Sequence, residues 1–214
     1  MGDKPVLIFD FDGTIADSLE TAILIFNNLA PNFGFNKIDG PEVKILRNSN
    51  PKEILKKLGV SWFSIFRLLI LFGIAKYQFG KKVKFLKPIK GMSEVIRDLK
   101  KQGFRMGIIT INSKKNVEKF LKNNNLHYFN FIYAGGLFSK HKSIEKFIKK
   151  HKLIAEQIVY IGDEVRDIEA AHSSGVKIVS VSWGFNSREI LQKFNPEKVV
   201  DKPVQLSEFL KSVY

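Results

Sequence analysis

The chain has 214 residues, of which 44% are hydrophobic and 26% are charged, the composition of an ordinary globular protein rather than a disordered one. It contains no cysteine, which excludes disulfide scaffolds, cysteine nucleophiles, thiolate zinc sites and iron–sulfur clusters. The 35 Lys and Arg exceed the 21 Asp and Glu by a formal net charge of +14, and such an excess attracts anionic partners over a long range. Because domains average about 150 residues, this length predicts one core with a sizeable insert.

Short apolar runs recur along the chain and predict buried strands. They are Val6–Phe9, Phe104–Ile109, Phe129–Tyr133, Ile158–Ile161 and Lys177–Val181. The stretches between them show helical spacing, as at Met92, Val95, Ile96 and Leu99. This alternation predicts an α/β fold, a three-layer, Rossmann-like parallel sheet with helices on both faces. Ligands of such sheets bind beyond the carboxyl ends of the strands.

Residues 17–88 break the alternation, because they contain no convincing strand. They open with a helical pattern, continue through a zone rich in Gly and Pro, and end in a strongly apolar segment. We therefore predict a helical cap inserted after the first strand. On this prediction residues 1–16 and 89–214 form the core, and residues 17–88 form the cap.

The apolar segment at residues 60–75 holds twelve hydrophobic residues, too few for a membrane span, which takes about 20. A helix that is apolar on most sides is usually buried, so packing inside the cap or against the core is the favoured interpretation. A dimer contact and a contact with a membrane surface are the alternatives. Residues 51–90 carry ten Lys and Arg against one acid, which would favour a peripheral contact with anionic lipid through residues 60–90.

Acidic, basic and hydroxyl side chains follow the predicted strands. They are Asp10 and Asp12 after the first strand, Thr110 after the second, Lys140 and Lys142 after the third, and Asp163, Glu164 and Asp167 after the fourth. Two like charges about 4 Å apart repel by roughly 4 kcal/mol at an effective dielectric constant of about 20, so clustered carboxylates would take up protons or hold a cation. Oxygen ligands without Cys or His favour Mg²⁺, and the lysine and threonine indicate an anionic substrate such as a phosphate. A carboxylate is then the best candidate nucleophile.

The sequences Asp10-Phe-Asp12-Gly-Thr14 and Gly162-Asp163-Glu164-Val-Arg-Asp167, with Thr110 and Lys140 between them, resemble the four motifs of the haloacid dehalogenase-like hydrolases. The similarity is greatest to the phosphoglycolate-phosphatase-type branch. It covers residues 1–16 and about 89–203, whereas the insert matches only in its position and its helical character. The resemblance implies a Mg²⁺-dependent phosphatase that hydrolyses a small phosphate monoester through an aspartyl-phosphate intermediate.

The resemblance also implies the roles of the first acids. Asp10 would be the nucleophile, and Asp12 would be the general acid for the leaving group and then the base for the attacking water. Asp10, the backbone carbonyl of Asp12, and Asp163 would hold Mg²⁺. Because Asp12 is present, phosphate transfer is favoured over carbon–halogen cleavage.

The remaining matched residues would bind the phosphate or support that binding. Thr110, the backbone N–H of Ile111, and Lys140 would contact the phosphoryl oxygens. Asp167 would orient Lys140 or a metal-bound water. Glu164 lies beside Asp163, so either acid is a candidate for direct contact with the metal, and Lys142 competes with Lys140 for the phosphate.

Several alternatives stay open at this point. The same residues would suit a phosphomutase, and a basic protein that binds nucleic acid or membrane would keep an idle site, although no specific nucleic-acid partner is expected. The run Val6–Phe9 stops at Asp10, so it is not a secretory signal and we expect a cytoplasmic protein, a monomer or a homodimer. Three basic cap residues are candidates for binding a second anionic group of the substrate, namely Lys44, Arg47 and Lys52.

Overall fold

A computed structural model describes residues 4–135 and 140–214 of the chain, and its centre is a parallel sheet. The strands are β1 (Val6–Phe9), β2 (Met106–Thr110), β3 (Phe131–Ala134), β4 (Ile158–Gly162), β5 (Lys177–Val181) and β6 (Lys198–Val200). They form one six-stranded sheet in the order β3-β2-β1-β4-β5-β6, and every pairing is parallel. The order reverses between β1 and β4, and ligands of open α/β sheets bind at such a switch point.

Helices cover both faces of the sheet. In chain order they are α1 (Leu19–Leu29), α2 (Gly40–Arg47), α3 (Pro51–Lys57), α4 (Ile65–Lys82), α5 (Met92–Lys101), α6 (Lys114–Asn123), α7 (Lys140–His151), α8 (Val165–Ser173), α9 (Arg188–Gln192) and α10 (Pro203–Val213). Leu7 and Phe9 share an apolar cluster with residues of α5, α6 and α10, whereas Val6 and Ile8 share another with α7, α8 and α9. Since successive strand residues face opposite sides, β1 divides two helical layers and the predicted three-layer fold is confirmed.

The strands predicted from the sequence are all present, with small shifts at their ends. β2 and β3 each begin two residues later than predicted, because Phe104 and Phe129 pack against the core before the strand pairing starts. The edge strand β6 was not predicted, since a strand of three residues is too short to show a periodic pattern.

The two ends of the insert lie side by side at the edge of the core. The Asp17 amide donates a hydrogen bond to the Lys87 carbonyl at 3.0 Å, and the Ile89 amide donates to the Ile15 carbonyl at 2.9 Å. Helices α1 to α4 and short 3-10 turns fill the interval between these bonds. The division into a core of residues 1–16 and 89–214 and a cap of residues 17–88 stays a prediction, and these bonds lie at its proposed boundaries.

The apolar segment at residues 60–75 is buried on one face only. Leu71 and Phe79 of α4 are buried in the main apolar cluster, with Leu68 and Ala75 packed against it. The opposite side of α4 and the short 3-10 turn before it carry exposed apolar side chains that we call the outer α4 face, namely Phe63 in the turn and Phe66, Leu69, Ile70, Ile74 and Tyr77 in the helix. The favoured interpretation, burial of the segment, therefore holds for the inner side of α4 and is wrong for its outer side. Among the described helices, none combines the length and apolar character needed to cross a membrane.

Candidate active site

The predicted site residues meet at the carboxyl ends of the central strands. Asp10 directly follows β1, Thr110 is the last residue of β2, and Asp163 directly follows β4. All three are buried. Lys140, the first residue of α7, reaches the same place and contacts Asp10.

Three buried carboxylates form the centre of the site. One oxygen from each of Asp10, Asp163 and Asp167 lies within 4.8 Å of the other two. Burial raises the pKa of Asp10 to about 7 although the Lys140 charge opposes it, and burial together with the Glu164 charge raises the pKa of Asp163. These carboxylates are therefore costly to ionise together unless a cation compensates them.

Lys140 is the lysine that joins these acids. Its ammonium lies 3.0 Å from Asp10 Oδ2 and also donates a hydrogen bond to Asp167 Oδ1, and its side chain is only 10% exposed. Burial lowers the pKa of this ammonium, but the charges of Asp10 and Asp167 outweigh burial and raise the pKa well above its usual value. Lys142, the competing candidate, is exposed.

Asp163 is held by the loops after β1 and β5. The Thr14 hydroxyl donates to its Oδ1 at 2.6 Å, and the Phe185 amide donates to its Oδ2 at 2.7 Å. Gly13, at a φ of +79°, and Gly184 approach the carboxylate so closely that a Cβ at either position would overlap it. Sequence reasoning missed Gly184 and Phe185, because nothing local to the loop after β5 marks it as a neighbour of β4.

Asp12 is fixed by an asparagine that sequence reasoning also left without a role. Asn112 donates from Nδ2 to Asp12 Oδ2 at 2.8 Å. Its Oδ1 accepts from the Ser113 amide at 2.8 Å and from Asn116 Nδ2 at 2.9 Å, so both ends of the Asn112 amide are committed. Burial raises the pKa of Asp12 to about 6, against the effect of the Asn112 hydrogen bond. The available signal was the position of Asn112 just beyond the end of β2.

The end of β2 also receives a lysine from the insert. Thr110 Oγ1 accepts the Asn112 amide at 3.0 Å, and the Ile111 carbonyl accepts Lys76 Nζ from α4 at 2.7 Å. Burial lowers the pKa of Lys76. The three basic cap candidates behave differently, because Arg47 donates to the Ser182 carbonyl at 2.9 Å while Lys44 and Lys52 are exposed.

Glu164 lies at the N-terminus of α8 and faces a counter-charge of its own. Its carboxylate is 2.6 Å from Arg166 Nη2. Burial raises the pKa of Glu164, but the Arg166 charge outweighs it and the net shift is downward. The Glu164 amide donates to Asp167 Oδ2 at 3.0 Å, which orients Asp167 toward Lys140.

The donor set fits a hard divalent cation. Three carboxylates cluster at the site, those of Asp10, Asp163 and Asp167. In the described part of the chain, the buried Oδ1 atoms of Asp10 and of the nearby Asp12 have no hydrogen-bond partner. All these donors are oxygen atoms, the ligands that Mg²⁺ prefers. Asp10, Asp12, Asp163 and Asp167 are therefore the residues that could hold a metal.

Comparison with known proteins agrees with this geometry. A family model described as haloacid dehalogenase-like hydrolase matches residues 7–181. A phosphoglycolate phosphatase from Synechococcus elongatus is 33% identical over 202 residues, which cover 94% of this chain and 94% of that protein. A pyrophosphatase, PpaX, from Bacillus mycoides is 23% identical over 212 residues, which cover 97% of each chain.

Solved structures share the fold. A predicted phosphatase from Clostridium acetobutylicum superimposes with a TM-score of 0.80 at 19% identity, over 99% of this chain and 100% of that one. A haloacid dehalogenase-like hydrolase from Streptococcus pneumoniae gives a TM-score of 0.78 at 20% identity, over 96% of this chain and 98% of that one. The family model and the 33% identical phosphoglycolate phosphatase show that the chain belongs to the haloacid dehalogenase-like hydrolases, as an enzyme of the phosphatase type in their phosphoglycolate-phosphatase-like branch.

Proposed function

We propose that this enzyme is a Mg²⁺-dependent phosphatase that hydrolyses a small phosphate monoester, phosphoglycolate or a close analogue, through an aspartyl-phosphate. The observation that carries the proposal is the cluster of Asp10, Asp163 and Asp167 around the Lys140 ammonium. Three acids against one lysine leave a negative excess, which calls for a cation before an anionic substrate can approach.

The metal would be held by the Asp10 carboxylate, the Asp12 backbone carbonyl and Asp163. When bound, it would supply positive charge that offsets the repulsion between the Asp10 carboxylate and the phosphate. Thr14 and the Phe185 amide keep Asp163 in place for this role. Asp167 is engaged by Lys140 and the Glu164 amide, which favours a supporting role for it.

In the first chemical step, an Asp10 carboxylate oxygen would form a bond to phosphorus while the bond from phosphorus to the leaving oxygen breaks. Asp12 would give its proton to that leaving oxygen. In the second step, Asp12 would take a proton from a water that attacks the aspartyl-phosphate and releases inorganic phosphate. A pKa of about 6 for Asp12 suits both directions of proton transfer near neutral pH.

The transferring phosphoryl group would be bound by the Thr110 hydroxyl, the Ile111 amide and Lys140. Thr110 Oγ1 accepts a hydrogen bond from the Asn112 amide, so the hydrogen of the Thr110 hydroxyl is available to donate to the phosphate. Glu164 would have a supporting role, because Arg166 already matches its charge.

Lys76 would bind the second anionic group of the substrate, such as the carboxylate of phosphoglycolate. Its ammonium lies against the Ile111 carbonyl at the end of β2, whereas Lys44 and Lys52 are exposed and Arg47 contacts the Ser182 carbonyl. A substrate that fits between Thr110 and Lys76 would be small.

The test is hydrolysis of phosphoglycolate, pyrophosphate and p-nitrophenyl phosphate with Mg²⁺ or with a chelator. We expect hydrolysis of phosphoglycolate that depends on the metal. When a reaction with substrate radiolabelled in its phosphate is quenched, we expect the label to be bound to the enzyme. Asp10→Asn should abolish both signals, and the exposed Asp17→Asn should keep them.

Turnover that survives in Asp10→Asn would refute the nucleophile assignment. A preference for pyrophosphate would reassign the substrate, and phosphate transfer to a sugar rather than to water would identify a phosphomutase. No turnover on any substrate would support the idle-site alternative.

A further inference from the structure

The outer α4 face is an apolar surface that the proposed function leaves unexplained. Phe66, Ile70, Ile74 and Tyr77 recur every three or four residues along one side of α4, with Leu69 beside them and Phe63 in the turn that precedes the helix, so they form a stripe. Phe63 is 93% exposed, and Phe66 and Tyr77 are each 68% exposed. Scattered exposed apolar residues are normal, but a contiguous stripe of large ones marks an interaction surface.

The fold does not need this stripe for its own packing. Leu71 and Phe79 on the inner side of α4 are buried in the main apolar cluster, where α4 packs along α1. The side chains that stabilise the helix against the core are therefore different from those that face outward. Phe85 in the following 3-10 turn adds another ring that is 68% exposed.

The segment of chain that carries the stripe is basic. No acidic residue occurs in the sequence between Glu53 and Glu94. Arg67, Lys81, Lys82 and Lys84 are exposed. Lys81 Nζ lies 4.6 Å from the centre of the Tyr77 ring, and Lys84 Nζ lies 4.7 Å from that of Phe85. Each ammonium thus sits directly beside an apolar ring, the arrangement in which lysines cover apolar surface while their charge stays at a polar boundary.

We propose that the outer α4 face docks on an anionic lipid surface, with α4 lying in the plane of the interface. A bilayer of anionic lipid offers both complements that this face requires, an apolar layer for the stripe and negative head groups for the lysines. A second copy of this chain would instead bring the same lysines and arginine of both copies together in a two-fold contact, where their like charges repel. The charge pattern therefore selects lipid over self-association.

The proposal does not depend on the phosphatase chemistry, because no residue of the outer α4 face is among the proposed site residues. Lys76, on the flank of α4, contacts the Ile111 carbonyl, whereas Ile74 and Tyr77 are exposed on the outer side. Changes on the outer face should consequently leave the turnover of a soluble substrate unchanged, and that turnover reports correct folding of each variant.

The experiment is flotation of the full-length protein with vesicles of phosphatidylglycerol or of phosphatidylcholine. We expect binding to the anionic vesicles alone, and weaker binding as salt rises, since ions screen exposed charges beyond about 10 Å at 0.1 M. Phe66→Ser with Ile70→Ser should lower the partition coefficient about tenfold or more. Ile154→Ser with Val204→Ser, which removes exposed apolar residues elsewhere, should leave binding intact.

A second matched pair of variants tests the exposed lysines beside the stripe. Lys81→Glu with Lys82→Glu should lower binding about tenfold or more. Lys100→Glu with Lys101→Glu changes net charge equally from exposed positions at the end of α5 and should have a much smaller effect. Equal losses in the two charge pairs would overturn the proposal, as would full binding by the Phe66→Ser and Ile70→Ser variant. Failure of the wild type to bind anionic vesicles would overturn the proposal too. So would a wild-type dimer in sedimentation equilibrium that becomes a monomer in the Phe66→Ser and Ile70→Ser variant.

Discussion

The central sheet and helix α4 are both rich in apolar residues, yet they use them differently. Every residue of β1, β2 and β4 is buried, because helices cover both faces of the sheet. Helix α4 rests on one side of the core and leaves its other side bare. An apolar run therefore specifies burial only where the architecture supplies two covering layers.

The two regions also differ in how they are joined. Within the core, apolar clusters run through the sheet and its helices. The insert shares one of these clusters through Leu71 and Phe79, and side-chain hydrogen bonds from Lys76 to the Ile111 carbonyl and from Arg47 to the Ser182 carbonyl also join it to the strand-end loops. Changes at the strand-end acids and lysine should thus alter the chemistry, whereas changes at exposed or flanking positions of the insert should alter substrate affinity or surface binding.

The largest effect is expected for Lys140→Met. This change removes the cation between Asp10 and Asp167 and a proposed phosphate ligand, so kcat should fall by about a hundredfold to a thousandfold. Lys142→Met, at an exposed position in the same helix, should keep kcat within about twofold. Steady-state kinetics with phosphoglycolate measure both, and thermal unfolding checks that each variant is folded. Equal rates for Lys140→Met and the wild type would contradict the proposed phosphate contact.

The strand-end acids could be predicted from sequence for a simple geometric reason. Parallel strands end at a common edge, so residues that follow separate strands converge without any detailed knowledge of packing. The choice between Lys140 and Lys142 could not be predicted. The two lysines are two residues apart in α7, so their side chains point about 200° apart around the helix axis. Which of them faces the site therefore depends on how the helix packs against the sheet.

The features that sequence reasoning missed depend on contacts between distant parts of the chain. The Phe185 amide contacts Asp163 across 22 residues, and Asn112 contacts Asp12 across 100. Neither residue lies in a motif that suggests its partner. The exposure of the outer α4 face was open for the same reason, since exposure depends on what the rest of the fold leaves uncovered. Burial was the favoured interpretation, and a surface contact was an alternative.

A glycine in each region provides a direct comparison of their stability. In β2, a Cβ at Gly107 would overlap the Phe131 ring, which stacks on Phe147. Gly107→Ala should therefore lower the free energy of unfolding by about 1–3 kcal/mol. In α4, a Cβ at Gly73 would meet nothing within 4 Å, so Gly73→Ala should raise that free energy by about 0.5–1 kcal/mol through its higher helix propensity. Urea denaturation of both variants measures the difference, and a loss of stability in Gly73→Ala would show that the outer α4 face is already covered.

A smaller effect is expected for Lys76→Met. If Lys76 binds the carboxylate of the substrate, this change should raise KM for phosphoglycolate by about tenfold, the value of a single charge-assisted hydrogen bond. The KM for p-nitrophenyl phosphate, which has no carboxylate, should change little. Lys44→Met, an exposed change in the same insert, serves as the matched control. A fall in kcat for both substrates would instead assign Lys76 to the chemistry of the core.

The smallest effect concerns the outer surface of the core, where helices are tied to each other in a way that the outer α4 face is not. Asp98 of α5 accepts hydrogen bonds from Ser207 at 2.7 Å and Lys211 at 2.6 Å in α10. The Lys211 hydrogen bond, together with that of Ser207, lowers the pKa of Asp98 to about 2 from its ordinary value of 3.8. The stability that the Asp98 carboxylate contributes is therefore fully present above its unfolded-state pKa and is lost as pH falls toward 2.

Asp98→Asn should accordingly lower the free energy of unfolding slightly at pH 7, and the gap from the wild type should close as pH falls from about 4 to about 2. Urea denaturation across this range measures the gap. Glu94→Gln, which removes an exposed pair with Arg97 within α5, should have less effect at pH 7 because it joins no second helix. A gap that stays constant down to pH 2 would mean that the Asn side chain disturbs packing between α5 and α10, and that the ionised carboxylate does not hold them together.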